Sequence, residues 1–199
     1  IMKNVLGVPA KYVLRKYDMK GSTFDREIMK KQSISDMSVL SSQGTLKDMD
    51  FLKYEKKLYV DEKMTKLVLQ AAERDANFFM RYNLMDYSLA VFVVDRARYL
   101  AENNGKLPQE MEDRPGKSLE STKYPGLSYH IGIIDYLQPY NFNKMIERNL
   151  KRIMALSYRL DTSSQPADKY AQRFVGYLKK IVGPCDMNES QISSKSSPI

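Results

Sequence analysis

The chain has 199 residues, 43% of them hydrophobic, which is enough to bury one core. Its 32 lysines and arginines outnumber its 24 aspartates and glutamates, and the formal net charge of +8 favours a polyanionic partner such as a nucleic acid, an acidic membrane or a phosphorylated ligand. The single cysteine excludes an internal disulfide and suits a reducing compartment. The longest apolar run, residues 89–94, is too short to cross a bilayer, so we expect any membrane contact to be peripheral.

The first quarter of the chain alternates strand-like pieces with polar segments. Residues 11–19 alternate in part between apolar or aromatic and basic side chains, which predicts a strand, and Gly21 predicts a turn after it. Residues 26–29 predict a short partner strand, and the Ser-rich residues 30–42 predict a surface loop. The N-terminus lacks the layout of a signal peptide, and we expect the chain to be cut from something longer.

The most regular pattern begins at Asp61. Apolar residues recur at helical spacing from there to Met80, which predicts an amphipathic helix. Residues 90–94 have the β-branched and aromatic content of a buried strand, and residues 129–134 predict a second strand. The charged residues 96–126 contain several glycines and prolines, which predicts a long exposed insertion.

Two aspartates stand at the ends of these two strands. Asp86 lies just before the first strand and Asp135 just after the second, so antiparallel pairing would bring both carboxylates to one end. Phosphoryl transfer needs one carboxylate to orient or deprotonate the attacking hydroxyl and another to hold the metal that bridges the nucleotide phosphates. The alternative interpretation is that both are ordinary cap or turn residues.

Two further amphipathic segments follow. Residues 142–154 carry apolar side chains at helical spacing beside lysines and arginines, which is typical of an interfacial helix but also of a core helix with a solvated basic face. Residues 169–182 predict a helix that Gly183 and Pro184 end. The polar, Ser-rich residues 184–199 predict a disordered tail.

Four motifs, in this order, resemble the phosphatidylinositol phosphate kinases. They are Lys-Tyr-Asp-Met-Lys-Gly-Ser-Thr at 16–23, Leu-Lys-Asp-Met-Asp-Phe at 46–51, Met-Asp-Tyr-Ser-Leu at 85–89 and Ile-Gly-Ile-Ile-Asp-Tyr-Leu-Gln at 131–138. The resemblance covers residues 1–183, as the C-terminal portion of the catalytic domain. It implies an α+β fold, the C-terminal lobe of a protein-kinase-like lipid kinase, with antiparallel strands packed with helices.

The resemblance also implies roles for single residues. Asp86 is the counterpart of the protein-kinase catalytic-loop aspartate, and Asp135 is the counterpart of the metal-binding one. The Asp-Leu-Lys-Gly-Ser motif of the family appears here as Asp-Met-Lys-Gly-Ser at 18–22. The resemblance implies that Lys20 in this motif faces the phosphates of the nucleotide or lipid, and that Asp18 joins Asp135 in binding the cofactor. Arg26 matches the basic residue that holds the phosphate already on the inositol ring, a ligand that suits the planar guanidinium.

The remaining implied positions concern the substrate. Residues 139–165 correspond to the activation or specificity loop, which folds against the bilayer, and Lys151 and Arg152 within it are lipid-binding candidates. Asp25 departs from the family, which often carries a basic residue there, and we expect it to weaken or retune substrate binding. Asp48 and Asp50 lie in a family motif, but we expect both to be structural.

The function implied by the resemblance is a magnesium- and ATP-dependent lipid kinase. The expected reaction converts phosphatidylinositol 4-phosphate to phosphatidylinositol 4,5-bisphosphate on an anionic membrane, with the protein cytoplasmic and peripheral at the plasma membrane or another cytosol-facing membrane. A homodimer is compatible with this prediction. A nucleic acid is not an expected partner, because the aromatic residues are not interleaved with the basic ones as a stacking platform would require.

One part of a kinase has no counterpart in the sequence. Nothing before Lys11 supplies a glycine-rich loop or a strand lysine paired to a helix glutamate, so we expect these elements upstream and expect the chain alone to be inactive. The alternative function is a non-catalytic phosphoinositide-binding module derived from such a kinase.

Overall fold

The computed structural model describes residues 6–23, 26–28, 44–108, 118–136, 138–139 and 166–185, the pair 138–139 by backbone alone. After a 3-10 turn at Ala10–Tyr12, the elements in chain order are β1 (Val13–Met19), α1 (Asp48–Tyr54), β2 (Leu58–Tyr59), α2 (Glu62–Arg81), β3 (Leu84–Met85), β4 (Ser88–Asp95), α3 (Arg96–Glu102), β5 (Ser118–Glu120), β6 (Leu127–Ile134), β7 (Gln138–Pro139), α4 (Ala167–Ile181) and β8 (Val182–Gly183).

The centre of the described part is an antiparallel sheet in the order β1–β4–β6–β5. β4 and β6 pair along their whole length, from Ser88 opposite Ile134 to Asp95 opposite Leu127. This register confirms the predicted antiparallel pairing. It also places the residues just before β4 and just after β6 at the same end of the sheet.

The long helix α2 forms where the periodicity predicted it. Asp61 caps its first turn, since the carboxylate accepts a hydrogen bond from the backbone N–H of Met64 at 2.7 Å. Four buried residues recur at helical spacing: Val68, Ala72, Ala76 and Phe79. Of these, Val68, Ala72 and Phe79 belong to the main hydrophobic core. The polar side chains of the opposite face remain in solvent, so burial of this one stripe explains the helix.

The second long helix, α4, packs against α2 and the sheet. Its buried residues, at helical spacing, include Tyr170, Phe174, Leu178 and Ile181. The helix prediction is confirmed, but the chain then continues into β8, which pairs in parallel with β2. That pairing was not predicted, because two residues are too few to show a strand pattern. The predicted fold class, an antiparallel sheet packed with helices, is confirmed.

Two sequence predictions were wrong in the described part. Residues 26–28 form no strand; instead, the carbonyl of Arg26 accepts from the N–H of Met49 at 2.9 Å, and the N–H of Ile28 donates to the Asp50 carboxylate at 3.0 Å. Their backbone groups are therefore bonded to the start of a helix, which local alternation does not reveal.

The segment 96–126 is not simply an exposed insertion. It contains α3 and β5, and the side chains of Tyr99 and Leu119 are buried. The glycines and prolines that suggested a loop separate these elements rather than prevent them. Residues 140–165 of the predicted specificity loop, which include the helix predicted at 142–154, lie outside the described residues, and so do the predicted surface loop 30–42 and nearly all of the predicted tail. No helix in the described ranges combines the length and hydropathy needed to cross a membrane.

Candidate functional site

Asp86 and Asp135 both lie at one end of the β4–β6 pair, as predicted. Asp86 sits between β3 and β4, and Asp135 follows β6 directly. Both have left-handed backbones, with φ of 68° and 58°. Aspartate tolerates this conformation better than most residues with a Cβ, so each side chain can leave a strand end at a sharp turn. The Asp135 side chain is exposed, and that of Asp86 is 19% exposed.

Lys20 brings a cation to the first of these carboxylates. β1 pairs with β4 so that Met19 stands opposite Leu89, which carries the residue after β1 to the Asp86 turn. The Lys20 ammonium Nζ donates to Asp86 Oδ1 at 2.9 Å, and the Lys20 side chain is only 16% exposed. A partly desolvated pair at this distance interacts more strongly than one on the open surface. Two motifs that are distant in sequence thus meet at one point.

Asp48, at the first position of α1, holds the loop that carries Lys20. Its buried carboxylate accepts hydrogen bonds from the backbone N–H of Lys20 at 3.0 Å and of Gly21 at 2.7 Å. It also accepts from Arg26 Nε at 2.6 Å. Because the acceptor is ionic and buried, these bonds are stronger than ordinary neutral ones. The expectation that Asp48 is structural agrees with this geometry.

Asp50 has a similar structural position. Its buried carboxylate accepts from the backbone N–H of Ile28 at 3.0 Å and from that of Lys47 at 3.1 Å. Since Lys47 is the N-cap of α1, Asp50 ties the residues 26–28 to the start of this helix. Asp48 and Asp50 together hold the Lys20 loop and the residues 26–28 that follow it.

Arg26 is buried, not spread on the surface. Its residue surface is only 7% exposed, and its Nε donates to the Asp48 carboxylate. Its Nη2 lies 3.6 Å from Asp18 Oδ1 and donates a hydrogen bond to the backbone carbonyl of Asp18. The guanidinium therefore joins the end of β1 to α1. The predicted contacts of Arg26 with a lipid phosphate and of Asp18 with a cofactor stay predictions. Lys151 and Arg152 lie outside the described residues.

One aromatic ring, that of Phe79, contacts the residue that follows each of the two aspartates. The ring of Phe79 in α2 is 4.7 Å from that of Tyr87 and stacks on that of Tyr136 at 5.5 Å. These two tyrosines directly follow Asp86 and Asp135. Burial raises the pKa of Tyr87 far above its ordinary value, so this neighbour of Asp86 stays neutral. The helical spacing of apolar residues predicts that Phe79 lies on the buried face of α2, but periodicity does not identify the rings that it contacts, so this link could not be predicted from the sequence.

The carboxylates fit a magnesium ion that takes most of its ligands from elsewhere. Within the described ranges, no cluster of three or more histidine, cysteine, aspartate or glutamate side chains could form an all-protein metal site. Mg²⁺ commonly binds through one or two carboxylates, substrate phosphates and water. The exposed oxygen donors of Asp135, on a turn at the same end as Asp86, match that requirement.

The chain is similar to a described family and to several known proteins. The family described as Phosphatidylinositol-4-phosphate 5-Kinase matches residues 1–125 and 96–181. Among similar proteins, the phosphatidylinositol 5-phosphate 4-kinase type-2 gamma of Xenopus tropicalis is 34% identical over 140 residues, 68% of this chain and 32% of its own length. The type-2 alpha protein of Mus musculus is 28% identical over 209 residues, 85% of this chain and 49% of its own.

A shorter match is closer in sequence. The type-2 gamma protein of Homo sapiens is 40% identical over 86 residues, 43% of this chain and 19% of its own length. The chain therefore spans between about a third and a half of the length of the Xenopus tropicalis and Mus musculus relatives. The family match covers all of the residues that build the four-stranded sheet, α2, α4 and the two aspartate turns. This chain belongs to the phosphatidylinositol phosphate kinase family.

Proposed function

We propose that this chain is the substrate-facing, metal-holding part of an ATP-dependent kinase that phosphorylates the inositol ring of a phosphatidylinositol monophosphate. The observation that carries the proposal is the 2.9 Å ion pair between Lys20 and Asp86, at the same end of the sheet as Asp135. A carboxylate beside a cation, with a second carboxylate near, suits transfer of a phosphoryl group to a hydroxyl.

In this mechanism, the chain's own residues orient the acceptor. The Asp86 carboxylate accepts a hydrogen bond from the attacking ring hydroxyl and takes its proton. The hydroxyl oxygen bonds to the γ-phosphorus of ATP while the bond from that phosphorus to the bridging oxygen breaks, and ADP leaves with the bridging oxygen. Lys20 holds that carboxylate and offers its ammonium to the phosphate oxygens. Asp135 would hold Mg²⁺, which when bound neutralises charge on the nucleotide phosphates.

Two acceptor lipids are candidates. The sequence-based expectation is phosphatidylinositol 4-phosphate, and the description of the matching family names the same lipid. The similar proteins are instead named phosphatidylinositol 5-phosphate 4-kinases, which favours phosphatidylinositol 5-phosphate as a second candidate. Both reactions would give the same 4,5-bisphosphate, so the acceptor has to be identified from the substrate supplied and not from the product.

The membrane part of the proposal is supported by charge. The formal net charge of +8 favours an anionic surface, where each basic residue adds about 1 kcal/mol of attraction. We propose a peripheral location at a cytosol-facing membrane, with Lys151 and Arg152 in contact with the lipid. Salt-insensitive binding to anionic vesicles would count against this electrostatic attachment.

The test uses the full-length protein with ATP, Mg²⁺ and vesicles that contain one phosphatidylinositol monophosphate at a time. We expect Asp86→Asn and Asp135→Asn each to lower the transfer rate by at least about a hundredfold. Asparagine also tolerates the left-handed backbone of both positions, so the substitutions change the charge and not the turn. The proposal fails if Asp135→Asn keeps the wild-type rate.

A matched control lies at the opposite end of the same strand. Asp95 ends β4 and caps α3 by accepting from the Arg98 N–H at 2.9 Å, and asparagine is an equally good N-cap. Asp95→Asn should therefore keep the wild-type rate. Wild-type protein that binds the vesicles but transfers no phosphate to any monophosphate would favour the alternative, a binding module without catalysis.

A further inference from the structure

Helix α4 contacts the Asp86 turn through one buried hydroxyl. The Tyr170 side chain is fully buried, and its hydroxyl donates to the backbone carbonyl of Tyr87, the residue after Asp86. The two tyrosine rings also meet edge to face, with centroids 4.7 Å apart. Burial holds the pKa of Tyr170 well above its ordinary value, so the hydroxyl keeps the proton that it donates.

The same helix contacts the Lys20 loop on the other side of the ion pair. Arg173 Nη2 donates to the Lys20 carbonyl at 3.3 Å, and its guanidinium lies over the Tyr170 ring at 4.7 Å. One turn further along, the Tyr177 hydroxyl donates to the Met19 sulfur at 3.5 Å. Three consecutive turns of α4 therefore contact the residue after Asp86, Lys20 itself and the residue before Lys20.

We propose that Tyr170 is a positioning residue for the phosphoryl-transfer site, because its hydroxyl anchors the Asp86 turn to α4. The inference rests on the proposed kinase function. Asp86 has a left-handed backbone, and a turn of this kind keeps one geometry only where its neighbours hold it. The ring and the backbone carbonyl of Tyr87 hold the Asp86 turn in place, and Tyr170 contacts both of these groups.

Loss of the hydroxyl should leave the turn present but less well placed. Displacement of a catalytic group by about 1 Å can reduce a rate about a hundredfold, whereas substrate binding that depends on other contacts changes little. We therefore expect Tyr170→Phe to lower kcat by about ten- to a hundredfold in the full-length protein. KM for ATP and for the lipid should stay within about twofold of wild type.

Tyr129 offers a matched control. It is also a fully buried tyrosine of the main core, and its hydroxyl lies within hydrogen-bond distance of Ser121 Oγ, at 3.2 Å. Tyr129 is in the half of β6 that is remote from Asp135. Tyr129→Phe loses a comparable hydrogen bond and keeps its ring, so the two variants should unfold at similar midpoints. Only Tyr170→Phe should have a lower kcat than wild type.

Amide hydrogen exchange gives a readout that does not depend on catalysis. We expect peptides covering residues 83–89 to exchange about tenfold faster in Tyr170→Phe than in wild type or Tyr129→Phe, because one bond of the closed turn is gone. Equal exchange in the two variants, or equal kcat, would overturn the proposal. If wild-type protein transfers no phosphate, the kinase function fails, and the exchange comparison still decides the role of Tyr170.

Discussion

Substitution of Gly21 by alanine tests whether the Lys20 loop is held against α4. Gly21 has a φ of +70°, and a Cβ added there would lie 3.0 Å from Tyr177 Cβ and 3.5 Å from the Arg173 carbonyl oxygen. Gly105 has nearly the same backbone, with a φ of +74°, and an added Cβ would meet no atom within 4 Å. The two glycines thus share the conformational requirement and differ in the space around them.

The comparison separates two energies. Left-handed backbone costs a residue with a Cβ about 1–2 kcal/mol, and this applies to both alanine variants. Overpacking applies to Gly21 alone and typically adds about 1–3 kcal/mol. Tyr177 Cβ is bonded directly to the backbone, so a rotamer change cannot move it away from the new methyl group. We therefore expect Gly21→Ala to lower the free energy of unfolding by about 1–3 kcal/mol more than Gly105→Ala.

The measurement is urea unfolding of both variants of the full-length protein, followed by circular dichroism, with lipid phosphorylation assayed in parallel. The new methyl group should push the loop away from α4 and displace Lys20, so we expect Gly21→Ala also to lose phosphoryl transfer. Gly105→Ala should keep it. Free energies of unfolding that agree within about 0.5 kcal/mol for the two variants would refute the reasoning about the close contact.

Two other predictions concern buried and exposed charge. Asp48→Asn removes the carboxylate that binds Nε of the buried Arg26 guanidinium, so it should lower the free energy of unfolding by about 3–5 kcal/mol. Asp61→Asn should change this free energy little, because asparagine is an equally good N-cap for α2. Equal losses for the two variants in urea unfolding would contradict this reasoning. Hydrogen bonds, first from Lys11, lower the pKa of Glu102 from 4.5 to about 2, so its contribution to stability is present above pH 4.5 and is lost as the pH falls through about 2. The unfolding midpoint of Glu102→Gln should therefore lie below wild type at neutral pH and converge with it in acid, and a constant gap would contradict the pKa shift.

Much of the local structure could be predicted from the sequence. The stripe that begins at Asp61 predicted α2 because a helix that buries one face repeats its apolar residues every three or four positions. The strands around Asp86 and Asp135 were equally clear from their β-branched and aromatic residues. Their antiparallel pairing followed from the chain order and was confirmed.

Other elements could not be predicted because their stabilising partners are distant in sequence. Residues 26–28 alternate like a strand, but Asp50 and the N–H of Met49 bind their backbone instead. β5 is three residues long and depends on its pairing with β6. Short segments carry too little periodicity to identify an element, so their conformation is decided by the contacts that satisfy their backbone groups.

The candidate site divides in the same way. The sequence by itself determined which aspartates stand at strand ends and that Lys20 belongs to a motif with Gly21, since these are properties of neighbouring residues. Only the tertiary structure decided that Lys20 binds Asp86, that Asp48 holds the Lys20 loop, and that Tyr170 anchors the turn after Asp86. The physical reason is that burial sets a pattern along the chain, whereas the partner of a buried polar group depends on how distant segments pack.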